Sequence, residues 1–196
     1  MAGSVRGRQR EETRQTLLRE SRRLFAGNGY AGVSITDIVT AAGVTKGALY
    51  HQFAGKLEVF RAVLEDVQSE VADRVAAAAD ACSDPWDQLV AGCEAFLITC
   101  ATPEIQRIML IDGPAVLGWQ EWRAMDEATS ARHLAEALTA LIAAGILAPQ
   151  PVQPLTHLLS GAMNEAALWL TSATEPDALA ETLTALRRIL DALPAR

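Results

Sequence analysis

The chain has 196 residues, 50% of them apolar and 21% charged, with a net charge of −7 and three cysteines. Such a composition excludes a disordered polymer, and Cys82, Cys93 and Cys100, odd in number and without C-x-x-C spacing, suggest neither a disulfide framework nor a metal site. Overall acidity argues against a nucleic-acid partner, but residues 1–56 hold nine Arg or Lys against four Asp or Glu, so a head of +5 sits on a body of −12.

Residues 1–10 carry Arg6, Arg8 and Arg10 and lead into Glu11 and Glu12 rather than an apolar run, so no secretory leader is read there. Residues 1–9 are expected to form a flexible arm, either solvated or following phosphates or a minor groove. Over residues 13–26, Leu17, Leu18, Ser21, Leu24 and Phe25 recur at helical spacing, and Gly27, Asn28 and Gly29 stop the helix. Ser34 followed by Asp37 is a capping-box pattern, opening a short helix with Ile35, Ile38 and Val39 that ends at Gly43. Thr45 can cap a third helix running to about Phe53, with Val44 and Leu49 as a hydrophobic staple. Two short helices joined by Ala41-Ala42-Gly43-Val44 make a helix-turn-helix, whose second helix would enter a major groove. Thr45, Lys46, Gly47, Tyr50 and His51 would then face outward, and Leu49 and Phe53 inward. Glycine costs roughly 1 kcal/mol inside a helix, so Gly47 implies close approach by DNA or by a neighbouring helix. Tyr50 as a core aromatic and His51 as an idle surface residue are the plain alternatives.

The stretch SITDIVTAAGVTKGALYHQFAGKLEVF, Ser34 to Phe60, resembles the DNA-binding signature of the TetR family, with Gly29-Tyr30 before it. The resemblance implies an all-α protein with a three-helix DNA-binding domain at residues 1–56 and a helical ligand-binding and dimerisation domain at 57–196. It also implies phosphate contacts from Thr36, Thr45, Tyr50 and Lys56, base approach by Lys46, Gly47, Ala48 and His51, and a place for Ser34 among the DNA-binding residues. Lys56, at a helix start, adds its charge to free backbone N–H groups, which suits a phosphate. Gln52 and Ala54-Gly55 depart from the usual pattern.

From Leu57 to Ala78 apolar residues recur every three or four positions, predicting a helix over 57–81 long enough to carry motion from body to head. Prolines then divide the chain into helices near 86–101, 103–111, 119–145, 155–173 and 176–193. Phe96, Cys100, Met109, Trp119, Trp122 and Met125, with Asp112, Asn164 or Glu165 as polar anchors, could line a pocket for a small apolar or amphipathic inducer; plain core is the alternative. Cys93 and Cys100, seven apart, read as buried core or as a redox pair. The last two helices offer Leu158, Gly161, Ala162, Ala166 and Trp169, and Leu183, Leu186 and Leu190, for a two-fold four-helix bundle, or for an internal core.

No stretch is long and apolar enough to span a membrane, and a cytoplasmic location is expected. His51, His133 and His157 form no catalytic constellation: H-E-x-x-H, G-x-S-x-G and phosphate loops are all missing, and no cofactor is implied. The expected function is a homodimeric repressor that binds double-stranded operator DNA and is released by a small molecule. A regulator without such a ligand, controlled by a protein partner or acting as an activator, is the alternative.

Overall fold

The computed structural model describes residues 5–194, and the side chains of residues 7–194. All its regular elements are helices, as expected: α1 (Val5–Asn28), α2 (Ile35–Ala42), α3 (Lys46–Tyr50), α4 (Lys56–Asp80), α5 (Pro85–Cys100), α6 (Pro103–Ile105), a π-helical segment (Gln106–Asp112), α7 (Gly113–Leu117), α8 (Trp119–Glu127), α9 (Ser130–Ala143), α10 (Val152–Trp169) and α11 (Ala178–Asp191). No helix among the described residues is long and apolar enough to cross a membrane.

α1 begins at Val5 rather than near residue 13, so Arg8 and Arg10 stand on a helix and not on a flexible arm; residues 1–4 and the Arg6 side chain lie outside the described part. α3 stops at Tyr50 rather than near Phe53, and contacts with the residues just after it hold this extension of α1. Gln52 Nε2 donates to the Arg10 carbonyl at 2.9 Å, and the Arg14 guanidinium lies 5.0 Å from the Phe53 ring centroid. The helix stops where Gly29 turns left-handed at φ 67° and donates its N–H to the Phe25 carbonyl.

The capping box forms as the sequence predicts. Asp37 N–H donates to Ser34 Oγ at 3.1 Å, and Ser34 N–H returns a bond to Asp37 Oδ2 at 2.8 Å. Gly43, left-handed at φ 65°, closes α2, and Thr45 Oγ1 accepts from Ala48 N–H to start α3. Leu17, Phe25, Ile38, Leu49 and Phe53 are buried together, and Phe60 of α4 completes the cluster, edge-on to Phe25 with centroids 5.3 Å apart. Each such side chain contributes about 1.5–3 kcal/mol through burial. Further along α4, Val67, Val71 and Val75 enter the core of the body, so one helix serves both halves.

Two predicted helices are not regular. Of the predicted 103–111, Pro103–Ile105 is α-helical and Gln106–Asp112 runs as a π-helix, after which Pro114 has no N–H to offer the carbonyl of Met109 or Leu110. Trp122 Nε1 donates to the Met109 carbonyl instead, at 2.7 Å. Residues 119–145 divide into α8 and α9 at Ala128-Thr129, where Thr129 Oγ1 bonds the carbonyls of Met125 and Asp126 and competes with the helix ladder.

Candidate functional site

α3 is short, and burial of Leu49 fixes which face it turns outward. Thr45, Lys46, Gly47 and His51 are exposed, as is Tyr50 at 54%, which excludes its reading as a core aromatic. Ala48 is half-buried. A Cβ on Gly47 would have only Thr45 Oγ1 nearby, at 3.8 Å, so no neighbouring helix of this chain requires the glycine. Thr36 and Ser34 are exposed on α2 and at its cap. Asp37 is held below the usual carboxylate range by hydrogen bonds from the Ser34 hydroxyl and backbone.

Lys56 has a structural role that the sequence did not show. Its Nζ donates to the carbonyls of Tyr30 (3.0 Å) and Val33 (2.9 Å) and lies 4.0 Å from the Tyr30 ring centroid. Two of its three donors therefore lock the α1–α2 connection onto the start of α4, leaving one for any phosphate. Basic charge is also spent elsewhere: Arg22 bridges to Glu70 (2.7 Å) and to Glu104, so one of the head's arginines serves the body.

Head and body meet at a second polar contact that the sequence did not reveal. Tyr30 N–H donates to Asp112 Oδ2 at 2.7 Å, and Arg107 Nε reaches the same oxygen at 3.3 Å. Arg107 lies flat on Gly29, where an added Cβ would fall 2.0 Å from its guanidinium. Asp112, expected in a pocket, instead ends the π-helix at the domain junction.

The other pocket candidates separate into three places. Cys100 and Met109 are fully buried core residues, and Met125 packs partly buried against the core. Burial raises the thiols of Cys93, to about 12, and Cys100, so neither favours the thiolate a redox pair would need. Phe96 lines a cavity of about 60 Å³ between α4, α5, α9 and α10, with Cys93, Ser130, Ser160 and Met163. Trp119, Trp122, Asn164 and Glu165 line a cleft of about 230 Å³, with Leu110, Pro114 and Leu168.

Between these hollows lies a charge cluster that sequence reasoning missed. Arg123 donates to Asp126 Oδ2 (2.7 Å) and Ser160 Oγ (3.0 Å), meets His157 Nδ1 at 3.0 Å and pairs with Glu127 at 3.3 Å. Burial pushes the Asp126 carboxyl up to about 6, against the pull of Arg123. The i, i+3, i+4 spacing of Arg123, Asp126 and Glu127 was the available signal.

On α10, Leu158 (71% exposed), Gly161, Ala162 and Trp169 (50%) lie open to solvent, and Ala166 is half-buried. Leu183 of α11 is half-buried, but Leu186 and Leu190 are buried in their own protomer, where α11 packs on α5. They serve the internal core, which corrects their placement at a partner surface.

Two profiles of known protein families match this chain. Residues 17–63 match the profile described as "Bacterial regulatory proteins, tetR family", and residues 86–193 match "Tetracyclin repressor-like, C-terminal domain". A TetR-family transcriptional regulator from Pectobacterium atrosepticum superposes with a TM-score of 0.78 at 35% identity, covering 96% of this chain and 97% of its own. The Bacillus subtilis regulator FadR, solved with stearoyl-CoA, shares the fold (TM-score 0.76, 16% identity, 90% and 96% covered). The HTH-type regulator SrpR of Pseudomonas putida is 43% identical over 58 residues, 30% of this chain and 27% of SrpR. AcrR of Shigella flexneri is 38% identical over 63 residues, 32% of this chain and 29% of its own length.

Proposed function

The chain belongs to the TetR family of bacterial transcriptional regulators, and from that premise we propose that it is a homodimeric repressor whose paired heads grip a palindromic operator and release it when a small molecule enters the body. One observation carries the reading. Leu49 and the Thr45 cap fix α3 so that Lys46, Gly47, Tyr50 and His51 form one exposed face, beside Thr36 and the Ser34 cap. A helix N-terminal region presenting short polar side chains and one lysine suits base edges and flanking phosphates in a major groove.

A single five-residue helix reads few base pairs, so two copies related by a two-fold axis supply the needed length. The apolar stripe Leu158, Ala162 and Trp169 on α10, with Ile189 exposed on α11, supports pairing through these helices. The 230 Å³ cleft supports small-molecule control, and FadR, which shares the fold, was solved holding an acyl-CoA. Control by a protein partner is favoured only by the narrowness of the 60 Å³ cavity.

Sequencing the genomic fragments that the purified protein selects tests the reading. Palindromic fragments, bound with an affinity that falls steeply with salt, are the expected result. Selection of no common sequence overturns it.

A further inference from the structure

We propose that the cleft between the α7–α8 segment and α10 binds a neutral or cationic aromatic molecule of one or two fused rings carrying a hydrogen-bond donor. This rests on the reading that the body takes up a small molecule, and adds where it sits and what chemistry it has.

The apolar wall comes first. Trp119 and Trp122 stand with ring centroids 5.0 Å apart and planes tilted by 41°, and Leu110, Pro114 and Leu168 extend the surface. Trp119 remains 64% exposed, although a large aromatic gains most when covered. An apolar cavity of roughly 150 Å³ holds benzene, so about 230 Å³ has room for one ring with substituents or two fused rings. Gly161 leaves the α10 wall bare, since nothing lies within 4 Å of where its Cβ would stand.

The polar end sets the chemistry. Asn164 lines the cleft, is only 8% exposed, and its buried Oδ1 has no hydrogen-bond partner among the described residues. A buried acceptor without a donor is costly, and a ligand O–H or N–H removes that cost. Arg123 also borders the cleft, but its guanidinium is committed to Asp126, Glu127, Ser160 and His157. Glu165 stands exposed at the lip. Two carboxylates and His157 already engage the one guanidinium at the cleft, so an anion meets no uncommitted Arg or Lys among the lining residues, while a cation gains Glu165 and the tryptophan faces.

The test is isothermal titration of the full chain with 2-naphthylmethylamine, 2-naphthol and 2-naphthoate, which share a ring system and differ in charge and donors. The amine and naphthol should bind, and naphthoate at least about tenfold more weakly. Glu165→Gln should weaken the amine severalfold and spare naphthol. Gly161→Leu, which fills the cleft from an exposed position, should abolish binding of both with circular dichroism unchanged, and because Gly161 adjoins the α10 pairing stripe, Trp119→Ala on the opposite wall should weaken both as well with oligomeric mass unchanged. Naphthoate binding as tightly as the amine overturns the charge assignment, and binding that survives Gly161→Leu overturns the site. Operator release followed in the same titrations separates the two readings: release that survives Gly161→Leu but is lost on filling the other cavity with Ala131→Phe leaves small-molecule control standing and removes this cleft. No probe binding at all removes the proposal, and small-molecule control falls with it only if a broad compound library also fails to release operator.

Discussion

Tyr30 and Asp112 lie 82 residues apart in sequence and are joined by one hydrogen bond, from the backbone N–H of the first to the carboxylate of the second. The same Tyr30 gives its carbonyl to Lys56 and sets its ring against Phe60, with centroids 5.1 Å apart. Asp112 closes the π-helix whose Met109 carbonyl is held by Trp122, a wall of the 230 Å³ cleft. A continuous physical line therefore runs from the cleft to the α1–α2 connection and the start of α4, at the base of the head.

Asp112→Ala should leave the protein folded but about 1–3 kcal/mol less stable, because the Tyr30 N–H loses its acceptor, and should blunt the change in operator affinity caused by an inducer. Asp112→Asn keeps an acceptor and should behave closer to wild type. Thermal melts and operator titrations with and without inducer decide this; an unaltered inducer response in Asp112→Ala rules out the line as a coupling route.

Lys56→Met should lower head stability by about 1–3 kcal/mol, as the Tyr30 and Val33 carbonyls lose a charged donor. A residue acting only as a phosphate contact would leave the melting temperature unchanged and reduce the salt slope of DNA binding by about 1. Lys46→Ala should spare stability and relax preference at particular base pairs, at a cost of about 1–3 kcal/mol. A selectivity profile unchanged by Lys46→Ala would place that side chain on phosphate instead.

Trp169→Asp or Leu158→Asp should yield folded monomers, since both side chains are exposed in the protomer. Leu186→Arg should unfold the body instead, a buried unpaired charge being far costlier than a surface one. Light scattering paired with circular dichroism distinguishes the outcomes, and folded, fully dimeric Trp169→Asp and Leu158→Asp would move the interface elsewhere.

Asp126 carries a pH signature of known sign. Its folded pKa, about 6, lies above the ordinary 3.8, so the native state binds the proton more tightly than the unfolded chain. Its contribution is most favourable below pH 4 and is lost as pH rises through 6, amounting to roughly 3 kcal/mol over that window. Asp126→Asn, which imitates the protonated form, should gain on wild type as pH rises from 5 to 8 in denaturant titrations. A constant difference between the two proteins across that range would show that Arg123 keeps the carboxylate charged.

The head was legible in the sequence because its signals are local. The Ser34–Asp37 box, the Gly43 turn and the Thr45 cap each act within a few residues, and each formed as predicted. The second role of Lys56 was not legible because its partners, the carbonyls of Tyr30 and Val33, are backbone atoms more than twenty residues away. In the body, Pro114 announced a helix end but not that the turns before it, Gln106–Asp112, would run as a π-helix. Leu186 and Leu158 look alike as apolar residues at helical spacing. Only the tertiary placement of α5 against α11 separates an inner leucine from an outer one.

The passage of α4 through one core that joins head to body bears on where this protein can be cut and rejoined. A chimera severed at residue 56 would strip Phe60 from Phe25 and Tyr30 and leave the isolated head with an open wound of aromatic surface. A transplantable head must therefore extend past Phe60, carrying the opening turns of the body's own helix as its floor. The modular seam of the molecule is thus a position inside a helix, and the rigid continuation of that helix fixes how any grafted body is aimed at the DNA.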